Sequence, residues 1–563
     1  MEGEIFLNQL KNRPWYKSYG DSKELEVPET SLYSFFEEAV KQYGQRTAII
    51  YEHTHTTYNE LKDKVDCVAA AWKELGAQKG ERIGIMAANH PDYIIAYNAA
   101  QALGLIVVQI NPMYTPRELL YILKDCQVSY IVADSVAIKT VRQVFDAYTF
   151  KNIFVLQMKD DDSDSRFIDL DELKNHPNPL AQPASIDALN DVAVIQYTGG
   201  TTGKMKGAML THYNLIANML QGYCLLSQKL NLGEEVILAA IPLYHVYGMN
   251  SVMNLGVHIG ATLLLFNNFK VDDVLEHIKE YRPTYFPAVP KMYNAFVNHP
   301  RVESYGLNCL KLCSCGSSPL PIEVIKRFEH LTGAKVSEAF GLSEASPLTH
   351  RNPPAGVRKV GSIGIPVPGT DCKIVDDNKR ELPPFGIGEL LIKGPQVMKG
   401  YWNNKEETAL TIQNGWLYTG DLAQMDEEGY FYIVGRKKEM IIVGGFNIYP
   451  QEVESVLYEY PNVQEAAVVG IPDTENGEIV KAYIVPKDGC QIDLEELRNH
   501  CYLKLTRYKV PKQFEIKDSL PRNAVGKLLK RILVQEEQEV KKSKLGRKTG
   551  KGFYIYDQSK IEL

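Results

Sequence analysis

Apolar residues recur at helical and at strand spacing in alternation along the first 150 residues of the chain. Apolar positions from Leu32 to Tyr43 follow the helical repeat and stop at Gly44, which predicts a helix that ends there. Thr57-Tyr-Asn-Glu60 is a capping box and predicts the start of a second helix. Thr115-Pro116 predicts the start of a third, with proline at its first position.

Strand-like runs lie between these helices, at residues 83–86, 105–110 and 130–133. Strands that alternate with helices predict a parallel sheet of the α/β class, and the same texture continues beyond Val192 to about residue 350. From residue 361 to 432 short strands are separated by Gly, Pro and Asn, which predicts a β-rich subdomain.

A chain of this length is expected to divide into at least two compact units. We predict an α/β fold with a large N-terminal domain, residues 1–435, made of two parallel-rich α/β subdomains and the β-rich one. The charged segment at residues 436–440 is interpreted as a hinge or linker. A small α+β domain, residues 441–535, and a tail at 536–563 complete the prediction.

Composition indicates a soluble globular protein, with 45% hydrophobic and 23% charged residues. The net charge of −7 lacks the basic excess typical of nucleic-acid binding, so no nucleic-acid partner is expected. The start of the chain has acidic residues where a signal peptide carries positive charge, and nine scattered cysteines fit a reduced, cytoplasmic setting. The close pair Cys313 and Cys315 is interpreted as structural rather than metal-binding.

Residues 197–207, Tyr-Thr-Gly-Gly-Thr-Thr-Gly-Lys-Met-Lys-Gly, form the strongest chemical signal. A strand that ends in a loop of glycines, hydroxyls and lysines offers donors and positive charge to a polyphosphate. It is not a P-loop, because only three residues separate Gly199 from Gly203 and Met205 follows the lysine. By itself such a loop is equally compatible with an ordinary turn.

Nine segments in register resemble the core motifs of the adenylate-forming (acyl-CoA synthetase) superfamily, over residues 30–533. They are residues 197–207, 242–248, 316–319, 338–344, 388–390 with 400–401, 415–421, 435–436, 444–446 and 521–527. The resemblance implies that ATP and Mg²⁺ activate a carboxylic acid as its adenylate, and that CoA, as co-substrate, takes the acyl group.

The resemblance also implies which residues form the nucleotide site. The glycine-rich loop would hold the phosphates, although Gly199 and Met205 depart from the commonest family form. Glu344 and Thr198 would hold Mg²⁺, which suits one or two carboxylates with phosphate oxygens. The implied ATP- and AMP-binding residues are Thr198, Gly199, Gly200, Thr201, Thr202, Gly203, Lys206, Gly316, Ser317, Ser318, Glu338, Ala339, Phe340, Gly341, Ser343, Asp421, Tyr432, Arg436 and Lys527.

Catalysis is expected to use Lys527, Glu344, His245 and Lys206. A flexible ammonium such as Lys527 can reach both the substrate carboxylate and the α-phosphate as charge moves between them. The family rotates its small domain between the two half-reactions, which implies a hinge at Lys438 and a CoA channel at Gly444, Gly445 and Phe446.

The acyl pocket is expected at His245, Tyr247 and Met249, and residues 247–255 resemble bacterial long-chain fatty-acid CoA ligases. A carrier protein as acceptor, a medium-chain or aryl acid as substrate, and an inactive acyl or nucleotide sensor remain alternatives. Fatty substrates make peripheral contact with the inner face of the membrane an expectation, and a homodimer is compatible with the sequence.

The tail carries an unrelated signature. Residues 545–556 resemble the closing segment of 3-hydroxyacyl-CoA dehydrogenases, but no dinucleotide-binding fingerprint precedes them. We interpret the segment as a gene-fusion remnant or a flexible basic tail without dehydrogenase activity. Its positive charges would each contribute roughly 1 kcal/mol near an anionic lipid surface.

Overall fold

The computed structural model describes residues 10–19, 25–158, 164–199, 205–473, 477–487, 489–523 and 527–549. The chain divides into two compact units, Met1–Ile433 and Val434–Leu563. The strand Phe431–Arg436 spans this division and a single 3₁₀ turn, Lys437–Glu439, follows it. The charged segment taken as a linker in the sequence is therefore partly ordered as strand.

An eight-stranded sheet forms the first layer of the larger unit. Its central strands are parallel. Met205–Thr211 runs antiparallel to Val192–Gly199, and the edge strand Gly400–Tyr401 runs antiparallel to Met205–Thr211. In spatial order the strands are Gly400–Tyr401, Met205–Thr211, Val192–Gly199, Ile106–Gln109, Arg82–Met86, Tyr130–Ala133, Asn152–Val155 and Phe167–Asp169. The predicted strands at 83–86, 105–110 and 130–133 all lie here, the second of them one residue shorter at each end than predicted.

A nine-stranded sheet forms the second layer, parallel at its centre and antiparallel at both edges. Its strands in order are Ile365–Pro366, Leu348–Arg351, Val336–Gly341, Leu312–Cys315, Tyr285–Ala288, Val236–Ala239, Thr262–Leu265, Thr47–Tyr51 and Thr54–Thr57. Cys313 and Cys315 are buried in one of these strands.

Helices cover and join the two sheets. Pro91–Leu103 is buried almost all round. The capping box predicted at Thr57 is formed, and the helix predicted to start at Thr115-Pro116 begins there, with a capping box that was not predicted. The larger unit's helices are Leu32–Tyr43, Tyr58–Glu74, Pro91–Leu103, Pro116–Cys126, Ala137–Arg142, Leu170–Leu173, His212–Leu226, Val246–Gly248, Leu255–His258, Val271–Tyr281, Pro290–Val297, Ile322–Thr332 and Lys405–Thr411. Single 3₁₀ turns are Pro14–Tyr19, Ser227–Lys229, Val302–Tyr305, Leu307–Cys309 and Ser343–Ala345.

Asn89, which follows a strand of the eight-stranded sheet, forms hydrogen bonds with the segment that follows a strand of the nine-stranded sheet. Its side-chain amide donates to the Ile241 carbonyl at 2.9 Å and accepts from the Leu243 backbone N–H at 2.7 Å. Asn89 is 1% exposed, so both bonds are shielded from water. The segment after Val236–Ala239, which leads to His245, is thereby fixed beside the eight-stranded sheet.

The predicted β-rich subdomain is an antiparallel sheet of Asp371–Val375, Gly388–Lys393, Trp416–Met425 and Ile412–Gln413, with Phe431–Arg436 paired to its longest strand. Together with the two parallel-rich sheets it completes the predicted architecture of the large N-terminal part. The mixed α/β class predicted from the sequence is therefore confirmed.

The smaller unit has a five-stranded sheet covered by helices. Its strands are Phe446–Ile448, Ile441–Val443, Gly477–Pro486, Val463–Asp473 and Gln513–Ile516, its helices are Pro450–Tyr458, Leu494–Lys504 and Lys530–Thr549, and Arg507–Lys509 is a 3₁₀ turn. The last helix reaches Thr549, so the basic segment begins as helix rather than as the flexible tail expected from the sequence.

A buried ion pair fixes the last helix to the sheet. Lys481 is 6% exposed, its ammonium donates to Glu515 at 2.7 Å, and it also pairs with Glu537 of the helix. The Tyr483 hydroxyl donates to the same Glu537 at 2.9 Å. A buried cation with two carboxylate partners is costly to disrupt, so the helix start is firmly placed within this unit.

Candidate active site

The glycine-rich segment is a hairpin rather than one long loop. The first strand continues to Gly199 and the second begins at Met205, with Thr198 opposite Lys206 in the register. The expectation that residues 197–207 form a loop is therefore wrong at both ends. The predicted phosphate contacts Gly200, Thr201, Thr202 and Gly203 lie outside the described residues.

Tyr401 joins Lys206 of the hairpin to Glu344. The Tyr401 hydroxyl donates to Glu344 Oε1 at 2.9 Å, and the Lys206 ammonium lies 5.2 Å from the centre of the same ring. Glu407, on the helix Lys405–Thr411, makes an ion pair with Lys206. The Glu344 carboxylate and the Lys206 ammonium, predicted from separate motifs, therefore both contact the Tyr401 side chain.

Burial and a nearby negative charge keep the Tyr401 hydroxyl protonated. Burial, and next the negative charge of Glu344, raise the pKa of the Tyr401 phenol well above its usual range. The phenol therefore remains a hydrogen-bond donor at neutral pH and orients one oxygen of the Glu344 carboxylate.

Glu344 sits on a tight turn between the strands Val336–Gly341 and Leu348–Arg351. At Gly341 a Cβ atom would lie 2.4 Å from the Pro347 carbonyl oxygen, so only glycine allows the strands to approach this closely. The N–H of Met398, a residue outside this hairpin, donates to the Glu344 carbonyl at 2.9 Å and stabilises the turn. Ser343 lies in the same turn.

The predicted adenine-pocket residues lie on two adjacent parallel strands. Gly316 follows Leu312–Cys315, and a Cβ at Gly316 would lie 3.2 Å from the Tyr247 ring and 3.7 Å from the Ala339 carbonyl. Ser317 has a φ of +75°, a left-handed conformation that non-glycine residues seldom adopt. The remaining predicted residues Ser318 and Phe340 lie on the same segments, and the Phe340 ring packs edge-on 6.0 Å from His350.

Glu338, on the same strand, has an unusual carboxyl group. Burial raises its pKa to about 7, while the Gly361 N–H, which donates to it at 3.0 Å, acts in the opposite direction. The group therefore titrates close to neutral pH, and its charge depends on its surroundings.

His245, Tyr247 and Met249 begin a helix that contains a π-helical segment, Met249–Asn254. The Tyr247 N–H donates to His245 Nδ1 at 3.3 Å, so His245 caps the helix, and Met249 is fully buried. Insertions of π-helix are frequent at functional sites. The three residues predicted for the acyl pocket therefore share one irregular helix.

Two predicted ATP- and AMP-binding residues of the larger unit, Asp421 and Tyr432, lie on strands of the antiparallel sheet. Asp421 is 2% exposed, and its N–H donates to the Thr419 hydroxyl at 3.1 Å. The Tyr432 hydroxyl donates to Asp426 at 3.2 Å, and Asp426 also accepts from Lys359 at 2.6 Å.

The remaining predicted residues belong to the smaller unit. Arg436 ends its strand and Lys438 lies in the 3₁₀ turn that follows. Gly444 and Gly445, with φ of +56° and +86°, form the two-residue turn of a hairpin, and Phe446 stacks 4.8 Å from Tyr508. The Lys527 N–H donates to Asn523 Oδ1 at 2.8 Å.

Sequence reasoning did not assign Tyr401 or Glu407 to the site, and it did not predict that Arg351 is buried. Tyr401 lies within a quoted motif, but its partnership with Glu344 depends on contact between strands remote in sequence. Arg351 follows His350 in a run of polar residues whose burial no spacing rule reveals.

The chain resembles known proteins in both sequence and fold. The AMP-binding enzyme family matches residues 36–402, and the AMP-binding enzyme C-terminal domain matches residues 452–527. The long-chain-fatty-acid–CoA ligase of Bacillus subtilis is 40% identical over 94% of this chain and 98% of its own length. That of Escherichia coli O6:H1 is 37% identical over 90% of this chain and 94% of its own.

Solved structures of related folds agree with the sequence matches. ATP-bound MatB from Rhodopseudomonas palustris has a TM-score of 0.82 and 29% identity, covering 91% of this chain and 100% of that one. The anthranilate CoA ligase AuaEII in complex with anthranoyl-AMP has a TM-score of 0.82 and 26% identity, covering 91% and 98%. From its motifs, its fold and these matches, the chain belongs to the AMP-binding enzyme family.

Proposed function

We propose that this protein is a long-chain fatty acid–CoA ligase that forms AMP. A fatty-acid carboxylate attacks the α-phosphate of ATP, the bond to pyrophosphate breaks, and the acyl-adenylate forms. The CoA sulfur then attacks the acyl carbonyl, its thiol proton is lost to solvent, and AMP leaves. The observation that carries the proposal is the convergence of Lys206 and Glu344 on Tyr401, in a chain whose curated relatives are named for this reaction.

Holding two anions together is the main physical demand of the first step. Lys206 and the backbone of the hairpin supply positive charge and N–H donors toward the phosphates. Asp421 accepts from the ribose hydroxyls, and the segments at Gly316 and Ala339 enclose the adenine. Arg436 assists at the ribose.

Glu344 suits Mg²⁺ because a half-buried carboxylate beside a phosphate site is the hard oxygen donor that this ion prefers. Tyr401 occupies Oε1, which leaves Oε2 for a cation, and the Thr198 hydroxyl is a second oxygen donor. When bound, Mg²⁺ supplies charge neutralisation at the phosphates. Within the described residues no group of three or more His, Cys, Asp or Glu side chains could form a metal site of its own.

The smaller unit contributes a different group to each step. Lys527 stabilises the charge that develops between carboxylate and α-phosphate during adenylation. The Gly444-Gly445 turn, where a Cβ atom would meet nothing within 4 Å, leaves space for the pantetheine arm of CoA. Reorientation about Lys438 exchanges the two groups.

The acid is expected to lie against Tyr247 and Met249, with His245 at the reacting end. A relative named feruloyl-CoA synthase is 36% identical over 86% of this chain, so an aryl acid is the second candidate substrate. Two alternatives differ from the proposal in their products. With a carrier-protein acceptor, pyrophosphate would be released without a CoA thioester, and a sensor would release neither pyrophosphate nor AMP.

A single substrate series tests these readings. AMP and pyrophosphate are measured with acids from acetate to octadecanoate and with ferulate, each with and without CoA. We expect CoA-dependent AMP release that is greatest with long-chain acids. Pyrophosphate without any thioester would favour a carrier-protein acceptor, a preference for ferulate would replace the fatty acid, and no release with any acid would indicate a sensor.

We further propose a cytoplasmic protein that contacts the inner face of the membrane to collect fatty acids. Among the described residues no helix has both the length and the apolar character needed to cross a bilayer. Sedimentation with vesicles of anionic lipid tests the contact, and sedimentation of the protein alone tests the homodimer expected from the sequence.

A further inference from the structure

Arg351 is a buried cation for which the described part of the chain supplies no partner. Its side chain lies in the strand Leu348–Arg351 and is 1% exposed. Neither Nε nor Nη1 makes a hydrogen bond. Because an unpaired buried charge is strongly destabilising, native proteins almost always pair such a group.

A second unsatisfied donor lies beside it. The Tyr247 hydroxyl is also buried and makes no hydrogen bond of good geometry among the described residues; the Ser314 hydroxyl, which bonds Tyr285 at 3.1 Å, lies close enough to lower the pKa of the Tyr247 phenol. Burial raises the pKa of the Tyr247 phenol, and the positive charge of Arg351 acts against this rise, which reflects their proximity.

The strand register places this pair at the wall of the proposed substrate site. Arg351 is the direct cross-strand partner of Ala339, so the two side chains share one face of the sheet. The Ala339 carbonyl and the Tyr247 ring both approach Gly316. Arg351 and Tyr247 therefore adjoin the segments assigned to the adenine and acyl pockets.

Arg351 is set apart from Glu344, beside which the carboxylate is activated. Glu344 lies in the turn of the hairpin, whereas Arg351 lies three residues beyond Leu348 along the second strand, roughly 10 Å further on. The carboxylate being activated must meet the phosphates near Glu344. A group that reaches Arg351 is therefore a second one on the same acyl chain.

We propose that Arg351, with Tyr247, is a specificity-determining site for a second carboxylate on the acyl substrate, so that α,ω-dicarboxylic acids are activated in preference to simple fatty acids. A planar guanidinium binds a carboxylate through two parallel hydrogen bonds, and the phenol supplies a third donor. A methyl-ended chain would leave the buried charge unpaired. The inference rests on the ligase activity proposed above and names its substrate class.

The test compares matched acids in the purified full-length enzyme. Values of kcat/KM are measured by pyrophosphate release for hexadecanoic and hexadecanedioic acid, and for octanoic and octanedioic acid. We expect the wild type to favour the dicarboxylic member of at least one pair. In Arg351→Met the dicarboxylic-to-monocarboxylic ratio falls by roughly 30-fold or more, chiefly through KM, because a buried charge partner is lost.

Two further variants separate specificity from structure. Arg351→Lys restores part of the ratio because it keeps the charge but loses the two-pronged geometry. The control Arg380→Met removes an exposed arginine that pairs with Asp376, and leaves the ratio unchanged. If Arg351→Met does not fold, Tyr247→Phe, which removes one donor only, still lowers the ratio several-fold.

Each result decides the matter. A wild-type enzyme that rejects both diacids, or a ratio that is the same in the wild type, Arg351→Met and Tyr247→Phe, overturns the inference. A loss of activity in Arg351→Met that is equal for every acid also overturns it, because Arg351 would then act on the reacting carboxylate or on the fold. Absence of turnover with all acids would instead refute the ligase activity itself.

Discussion

The two units differ in how they hold the groups assigned to the reaction. In the larger unit these groups are fixed by neighbours: Glu344 by the Tyr401 hydroxyl, and Asp421 by burial in a sheet. In the smaller unit they lie on or beside turns at the surface: Phe446, which begins a strand directly after the Gly444-Gly445 turn, is 58% exposed, and a side chain at Gly445 would meet open space. On the proposed mechanism, the larger unit holds the substrates in one arrangement and the smaller unit presents its groups in succession.

The contrast is tested most strongly at Lys527. In Lys527→Ala we expect adenylate formation to fall by roughly 100- to 1,000-fold, because a charge that stabilises the transition state is removed. Thioester formation from preformed acyl-adenylate should remain near the wild-type rate. Both steps are measured in single turnovers, with Lys512→Ala, an exposed lysine of the same unit, as the control. An equal loss in both steps would contradict the assignment of one group to each step.

Glu338 tests the cost of burial in the larger unit. Its carboxyl has an ordinary pKa of 4.5 and a folded pKa of about 7, so the unfolded chain loses this proton first as the pH rises. Stability is therefore lost between these values, by up to about 3 kcal/mol. We expect Glu338→Gln to gain thermal stability over the wild type progressively from about pH 5 to about pH 8.

The midpoint of thermal unfolding measures this difference, and the exposed Glu303→Gln is its control. If the difference in unfolding midpoint between Glu338→Gln and the wild type does not change with pH, the Glu338 carboxyl is ionised throughout this range.

The turn at Gly445 tests whether an open position in the smaller unit is used. Gly445→Val should slow thioester formation by roughly tenfold to 100-fold, since bulk would displace the CoA arm, and should spare adenylation. Gly489→Val is a matched control, because Gly489 also has positive φ and open space around it. The two variants share the backbone strain, so similar kinetics in both would remove the proposed channel.

Tyr401 tests whether fixing Glu344 matters in the larger unit. Tyr401→Phe keeps the ring beside Lys206 but removes the hydrogen bond to Glu344. We expect the Mg²⁺ concentration for half-maximal adenylation to rise roughly two- to tenfold. Tyr148→Phe, which loses a hydrogen bond to the Val128 carbonyl, is the control and should leave this concentration unchanged. An unchanged Mg²⁺ dependence in Tyr401→Phe would separate Glu344 from the metal.

The smallest effect is expected from removing residues 540–563. The deletion leaves Glu536 and Glu537, whose contacts with Lys517 and Lys481 fix the last helix. Turnover in solution should stay within about twofold of the wild type, because no proposed contact to substrate lies in this segment. A collapse of activity, measured with soluble short-chain acid, would show that the tail has a catalytic role.

Local patterns in the sequence predicted much of this fold. The capping box at Thr57, the helix start at Thr115-Pro116 and the strand at 130–133 depend on neighbours a few residues away, and all three are confirmed. The order of the motifs indicated the family. The extent of the glycine-rich hairpin was not predicted, because glycine and threonine favour turns while the pairing that keeps Gly199 and Met205 in strands comes from the whole sheet.

The assembled site could be predicted only in part. Glu344 and Lys206 follow from their motifs, but the pairing of Lys206 with Glu407 joins residues 201 positions apart. Whether a polar residue such as Arg351 is buried depends on which strand covers it. Long-range packing of this kind leaves no periodic mark in the sequence.

The anchoring of the last helix has a consequence for how this enzyme can be tuned. Lys527 stands three residues before that helix, and the helix takes its position from Glu537 and the buried Lys481. If Lys527 serves adenylation as proposed, a change in this ion pair would shift the position of the lysine and so alter the balance between the two half-reactions. Variation in turnover among relatives can therefore arise in the core of the smaller unit while every residue that touches substrate stays the same.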